Sequence, residues 1–270
     1  MPCIYAHDSF GRKVKEQLPK ELQTIINHHK KEFSAGLQGP DFLFFYHPLR
    51  KLRTNQIGYW QHRQPAAPFL EKMLPKVRKE GTDSGLYAYL LGYICHFMLD
   101  SECHSYIIPM TSRPGLFHLT IENEFDRHLL KKDGHTPVTY PIWKKIRYSE
   151  DIINAIHKAY ESLQVSRKQI RKSLRGMRFY KRILSGGRSI KRGIIRLGMF
   201  LSMHYRELEG HMMNLRPKKY ARQTNQSLQL IFDNAVSATK DLLQDFHLTV
   251  TTGKPLNKRF SSTFRSNEAA

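Results

Sequence analysis

A chain of 270 residues with 40% hydrophobic and 11% aromatic content can bury a sizeable core and is too apolar for a disordered polypeptide. Three cysteines exclude a disulfide framework and suit a reducing compartment. No apolar run reaches the length of a membrane span, and the first residues show no apolar segment behind a basic start, so the reading is a soluble, cytoplasmic protein. The formal net charge of +21 is uneven: residues 1–150 carry 21 Lys/Arg against 15 Asp/Glu, and residues 151–270 carry 23 against 8. Such a field favours anionic partners without choosing among phospholipid headgroups, nucleic acid and phosphorylated small molecules.

In chain order, residues 8–30 read as two short helices broken near Leu18-Pro19. Residues 34–48 form a Gly/Pro-punctuated segment that presents Asp41 and His47 from non-repetitive backbone. Residues 56–64 read as a second loop-like stretch, with His62 beside Trp60. An amphipathic helix is expected over 65–80, stopping at Gly81, with Thr82 or Asp83 capping the helix that follows. That next helix, LYAYLLGYICHFMLDSECH over 86–104, is almost wholly apolar. Further helices are expected over 116–130, 149–163, 165–184, 188–214 (despite Gly193 and Gly198) and 226–246. Residues 135–143 read as a loop, and the last ~18 residues as a loose polar tail. With no strand alternation and no internal repeat, the fold class is all-α. The division expected is a metal-site half at 1–135, a basic helical half at 136–250 packed on the same domain, and a flexible tail at 251–270.

The apolar helix carries His96, Asp100 and His104 at four-residue steps, which stacks them along one face. One such His is usually a satisfied core residue. A carboxylate in so apolar a helix needs a partner, because burying it alone is costly. The next helix adds His118 and Glu122, again four apart, and the preceding segments supply His7, Asp41, His47 and His62. Imidazole and carboxylate are zinc ligands, and a carboxylate can bridge two ions, so the set suffices for two or three zinc ions. Cys95 and Cys103 sit off this face and read as core. His128 is out of phase with Glu122 and reads as surface. Phe44, Phe45, Tyr46, Tyr59 and Trp60 can line a substrate cleft or pack as core.

The ordered segments AHDSFG, QGPDFLFF, CHFMLDSECH and HLTIE, spread over residues 4–130, resemble the bacterial zinc-dependent phospholipase C family. The resemblance implies an all-α fold, bound zinc and phosphodiester hydrolysis. By matching motif it implies that Asp41, His62, His96 and Asp100 hold one zinc and that Asp100 bridges towards a second reached by His7. His104, His118 and Glu122 would hold another, and Asp41 would be the general base. Secreted relatives also use a processed N-terminal Trp as a ligand; with no Trp here, the alternatives are the Pro2 amine, Cys3, or a third site that is weak or empty. The step from Asp100 to His104 is also shorter than in those enzymes.

Between Val165 and Phe200 lie twelve Lys/Arg and no acidic residue. Arg167, Arg171, Arg175, Arg178 and Arg182 draw a cationic stripe, which can meet an anionic membrane surface, follow a nucleic-acid backbone, or simply be solvated. The leading expectation is a zinc-dependent phosphodiesterase acting on phospholipid or a related phosphodiester, peripheral at the inner membrane surface. The alternatives are a single-strand-type zinc nuclease and a non-catalytic zinc-stabilised helical module that binds membrane or a partner.

Overall fold

In the computed structural model the described residues are 4–186, 189–201, 205 and 209–269. The chain is all-α, as its periodicities predict. Helices α1 (Ile4–Gln17), α2 (Lys20–His28) and α3 (Lys30–Gly36) lead into a short 3₁₀ turn, Asp41–Phe45. Then come α4 (Arg53–Arg63), α5 (Ala67–Glu80), α6 (Gly85–Met110) and α7 (His118–Lys132). The second half holds α8 (Glu150–Tyr160), α9 (Arg167–Leu184), α10 (Ser189–Leu201) and α11 (Ala221–Thr252). A two-stranded antiparallel hairpin, β1 (Ser262–Thr263) with β2 (Ser266–Ala269), closes the described chain. No described helix is long and apolar enough to cross a membrane.

Helix α6 is the axis of the molecule. Its first three turns are buried on every side, with α1, α3, α8 and α11 packed around it. Two glycines set the tightest crossing. A Cβ on Gly36 would lie 2.1 Å from the Tyr89 carbonyl oxygen, and one on Gly92 would lie 2.2 Å from the Phe33 carbonyl oxygen. The α3 and α6 backbones therefore touch directly, as only glycine allows. Ser84 caps α6 by accepting the Tyr87 N–H. It takes the place expected for Thr82 or Asp83, one residue later than the polar run suggested.

Three other segments depart from the sequence reading. Residues 53–63 form a helix where a loop was expected. Its entry is held by the Asn55 side chain, which accepts from the Leu52 amide and donates to the Arg50 carbonyl, an interaction that Gly58 and the polar composition mask. Of the helix expected over 188–214, α10 covers Ser189–Leu201; residues 187–188, 202–204 and 206–208 lie outside the described residues, and at Gly210 the backbone lies against Leu119 and Thr120. Arg127 then holds the carbonyls of Asn214 and Leu215 in non-helical chain. The stretch read as a loose tail is packed. Phe260 and Phe264 are fully buried, the Ala66 amide donates to the Ser262 carbonyl, and Ser105 pairs with Asn267. Two aromatics in a polar segment were the available signal.

Candidate metal centre

The stripe on α6 is real and buried: His96, Asp100 and His104 all lie in the interior. The other five residues come to it from separate elements. His7 sits in the second turn of α1, Asp41 opens the 3₁₀ turn, and His62 lies near the end of α4. His118 and Glu122 share one face of α7. The eight side chains fall into three groups whose ligand atoms lie within 4.8 Å of one another: His7/His96/Asp100, Asp41/His62/His96 and His104/His118/Glu122. Only His118 reaches solvent to any extent. His47, Cys95 and Cys103 lie outside these groups. His47 occupies a left-handed turn, and burial pushes both thiols up, which disfavours thiolate ligation. His128 contacts Gln229. Phe44 packs on the His62 ring, while Tyr59 and Trp60 are exposed.

The imidazoles are oriented from behind. His62 Nδ1 donates to the Gly58 carbonyl at 2.7 Å, His96 Nδ1 to the Leu37 carbonyl at 3.2 Å, and His104 Nδ1 to the Phe264 carbonyl at 2.7 Å. A carbonyl can only accept, so Nδ1 carries the proton and each neutral ring presents its Nε2 lone pair forward. Second partners of this kind are what metal-ligating histidines carry. Leu37 is delivered by the α3–α6 glycine crossing, and Phe264 by the C-terminal hairpin, neither of which was legible as part of the site.

Forward of the rings, Nε2 meets carboxylate oxygen. The separations are 3.0 Å for His62–Asp41, 3.3 Å for His96–Asp100, 3.2 Å for His7–Asp100, 3.1 Å for His104–Glu122 and 2.9 Å for His118–Glu122. A tetrahedral zinc with arms of about 2.0 Å has ligand–ligand edges of about 3.3 Å. Two facing lone pairs at such distances repel unless a cation or a proton lies between them. Asp41 Oδ1, His62 Nε2, His96 Nε2 and Asp100 Oδ2 are nonetheless buried without an aligned hydrogen bond. They converge on a common space instead of on each other, so the donor set fits a metal. Asp100 directs Oδ1 to His7 and Oδ2 to His96, the arrangement of a bridging carboxylate. His104 turns Nε2 away from Asp100 towards Glu122. A cavity of 20 Å³ lies between His7, Asp100, His104 and Glu122, room for roughly one water-sized occupant.

Electrostatics mark the same atoms. Burial opposes the charge on Asp100, but the neighbouring His96 and His104 hold its carboxyl well below the ordinary range. Burial likewise opposes protonation of His96 and His104, yet Asp100 raises both. Burial and the charge on His96 lower His7. Imidazole and carboxylate thus shift each other in opposite senses across the faces that a metal would bridge.

Sequence reasoning missed one further residue. Asp126 accepts the Ala6 amide at 2.8 Å and the Tyr5 amide at 3.3 Å, tying down the first turn of α1 immediately before His7. Burial pushes its carboxyl up to about 7 despite those bonds. The signal was present, since His118, Glu122 and Asp126 continue the four-residue step along α7. Pro2 and Cys3, the stand-ins for the N-terminal ligand, lie outside the described residues.

Comparisons with curated proteins and with solved structures gave no match. A model of the family described as zinc dependent phospholipase C matches residues 6–183. That span opens one residue before His7, closes in the last turn of α9, and takes in all eight residues of the three groups. Covering the greater part of the sequence, it shows that this chain belongs to the zinc-dependent phospholipase C family.

Proposed function

We propose that the chain is a zinc-dependent phosphodiester hydrolase of phospholipase C type, holding two or three zinc ions and acting on a phospholipid or a closely related phosphodiester. Family membership and the His/Asp clusters support the hydrolase class. The observation that carries the metal reading is the set of imidazole lone pairs turned onto carboxylate oxygens at the edge length of a zinc tetrahedron. In this reading Asp41, His62, His96 and Asp100 would hold one ion, and His7 with Asp100 would hold the second. His104, His118 and Glu122 take the third. One imidazole Nε2 serves one ion, so His96 belongs to the first group although it also stacks on His7 at 4.1 Å.

Bound zinc supplies the positive charge that acidifies water and offsets the charge developing on phosphorus. Asp41 holds the attacking water and accepts its proton. The water oxygen bonds to phosphorus as the bond to the diacylglycerol-type oxygen breaks, and that oxygen leaves to be protonated from solvent. Leu37, Gly58 and Phe264, through their carbonyls, keep the three imidazoles aimed. Beside Glu122 lies a 50 Å³ cavity whose lining includes Lys181 and Arg192 together with Asp126, and the two cations suit an anionic substrate; burial and Lys181 keep His211 in the same wall neutral, pushing its pKa down to about 3.

The test is metal analysis of purified protein together with a panel of phosphodiesters. Zinc at two or three equivalents, with release of diacylglycerol and a phosphorylated headgroup, is expected. Digestion of single-stranded DNA without phospholipid turnover would replace this reading with a nuclease. Tightly held zinc with no turnover of any substrate would replace it with a structural module.

A further inference from the structure

Helix α10 is turned inside out. A surface helix ordinarily buries its apolar stripe and presents charge to water. Here Ile190, Ile194, Leu197 and Leu201 are 79%, 67%, 57% and 72% exposed. At 3.6 residues per turn these four fall within about 60° of arc, so they form one ridge. The opposite side carries Arg192 and Met199, both buried. The orientation is fixed by named bonds. Arg192 donates to the carbonyls of Met213 and Gly186, and Lys191 donates to those of Ser185 and Arg182. Half a turn of rotation would hide the ridge and free the guanidinium, yet the chain holds the other arrangement.

The exposure is concentrated. Seven of the fifteen exposed large hydrophobic side chains among the described residues lie between Phe179 and Leu201. The same region has twelve Lys/Arg and no Asp/Glu over 165–200. On α9, Lys168, Lys172, Arg175 and Arg182 are exposed and share a face with exposed Phe179.

We propose that α10, with the exposed face of α9, docks on an anionic phospholipid bilayer, the α10 ridge entering the interfacial layer and the α9 cations meeting lipid phosphates. An aliphatic ridge among basic side chains is the composition of an interfacial helix. Charge disfavours a second copy, and the aliphatic ridge disfavours a nucleic acid. A second copy of this chain would set one acid-free cationic segment against another, and a nucleic acid offers no apolar surface to a ridge of four aliphatic side chains, which outnumber the two exposed aromatics there, Phe179 and Phe200. At 13 residues α10 lies on the surface and does not span it. The inference stands independently of the metal reading, because none of these residues belongs to the metal groups.

The experiment is co-sedimentation of the full zinc-loaded chain with vesicles of equimolar phosphatidylglycerol and phosphatidylcholine, and with vesicles of phosphatidylcholine alone. Binding to the anionic vesicles, weakened by salt, is expected. The Ile194→Glu/Leu197→Glu variant should bind them about tenfold or more weakly with unchanged zinc content and circular dichroism. Should that variant fail to fold, Leu197→Trp gives a second reading: quenching of its fluorescence by lipids brominated on the acyl chain is expected. Absence of quenching, equal binding by the folded double variant, or no preference for anionic vesicles would overturn the proposal. A wild-type dimer by light scattering that the double variant dissolves, with vesicle binding unchanged, would assign the ridge to a second copy.

Discussion

Helices α6 and α10 each place side chains where their chemistry does not belong. In α6, two imidazoles and a carboxylate sit in the core of an otherwise apolar helix. In α10, an aliphatic ridge faces water while an arginine is buried. Both mismatches imply something that completes the surface, but they differ in how they are held. The two α6 imidazoles are braced from behind by carbonyls on two other segments, Leu37 and Phe264, so the site is preorganised before any ion arrives. The α10 ridge is exposed, and the bonds that orient its helix lie with Arg192 and Lys191 away from it. A site that must impose geometry on a small ion is built rigid. A surface that meets fluid lipid needs only area and charge.

The strongest way to break the comparison is at Asp100. Asp100→Asn removes one charge and one bridging oxygen from between His7 and His96, so zinc content should fall and phosphodiester turnover should drop by about 10⁴ or more. Full zinc content by mass spectrometry in this variant would show that Asp100 is not a bridge. Asp41→Asn should behave differently, retaining metal through His62, His96 and Asp100 while losing turnover by about 10²–10⁴, the worth of a positioned base. Steady-state kinetics beside metal analysis separate the two, and undiminished turnover in Asp41→Asn would remove its role as base.

How much of this was legible follows from where the information lies in the chain. The four-residue steps on α6 and α7 and the ligand-bearing segments ahead of them are local patterns, and a helix converts them directly into a shared face. The carbonyls of Leu37, Gly58 and Phe264 were illegible because a main-chain acceptor has no residue type. His62 was misassigned to a loop since its helix starts on a side-chain bond from Asn55 instead of a standard N-cap. The C-terminal hairpin was read from average polarity, which two buried phenylalanines in a short segment outweigh. The reversed face of α10 was half legible: the periodicity was visible, but which side meets water depends on where Arg192 finds its carbonyls.

The braces themselves give the next two tests. Phe264 is fully buried against Tyr93, Phe97 and the His96 ring. Phe264→Ala should cost about 3–5 kcal/mol in urea unfolding and weaken zinc binding by about 10–100-fold as the carbonyl behind His104 drifts. Zinc affinity unchanged in a folded variant would reduce the hairpin to packing. Gly36→Ala should cost about 1–3 kcal/mol, the range for overpacking, because its methyl meets the Tyr89 carbonyl. The loss should carry a smaller fall in zinc affinity, since separating α3 from α6 draws the Leu37 carbonyl off His96.

The smallest expected effect tests the other side of the comparison. Ile194→Ser exchanges one exposed residue for another of similar helix propensity, so the folded chain alone should change by no more than about 0.5 kcal/mol in denaturant midpoint analysis. The same substitution at a buried aliphatic position would cost several times that through lost transfer energy and an emptied site. A loss of about 2 kcal/mol at Ile194 would mean that protein covers the ridge in solution, and the contrast between a braced interior site and a bare surface would fail. Near-neutrality would leave the ridge to act only where lipid is present. The sign of selection on its hydrophobicity would then lie in vesicle binding and not in the stability of the fold.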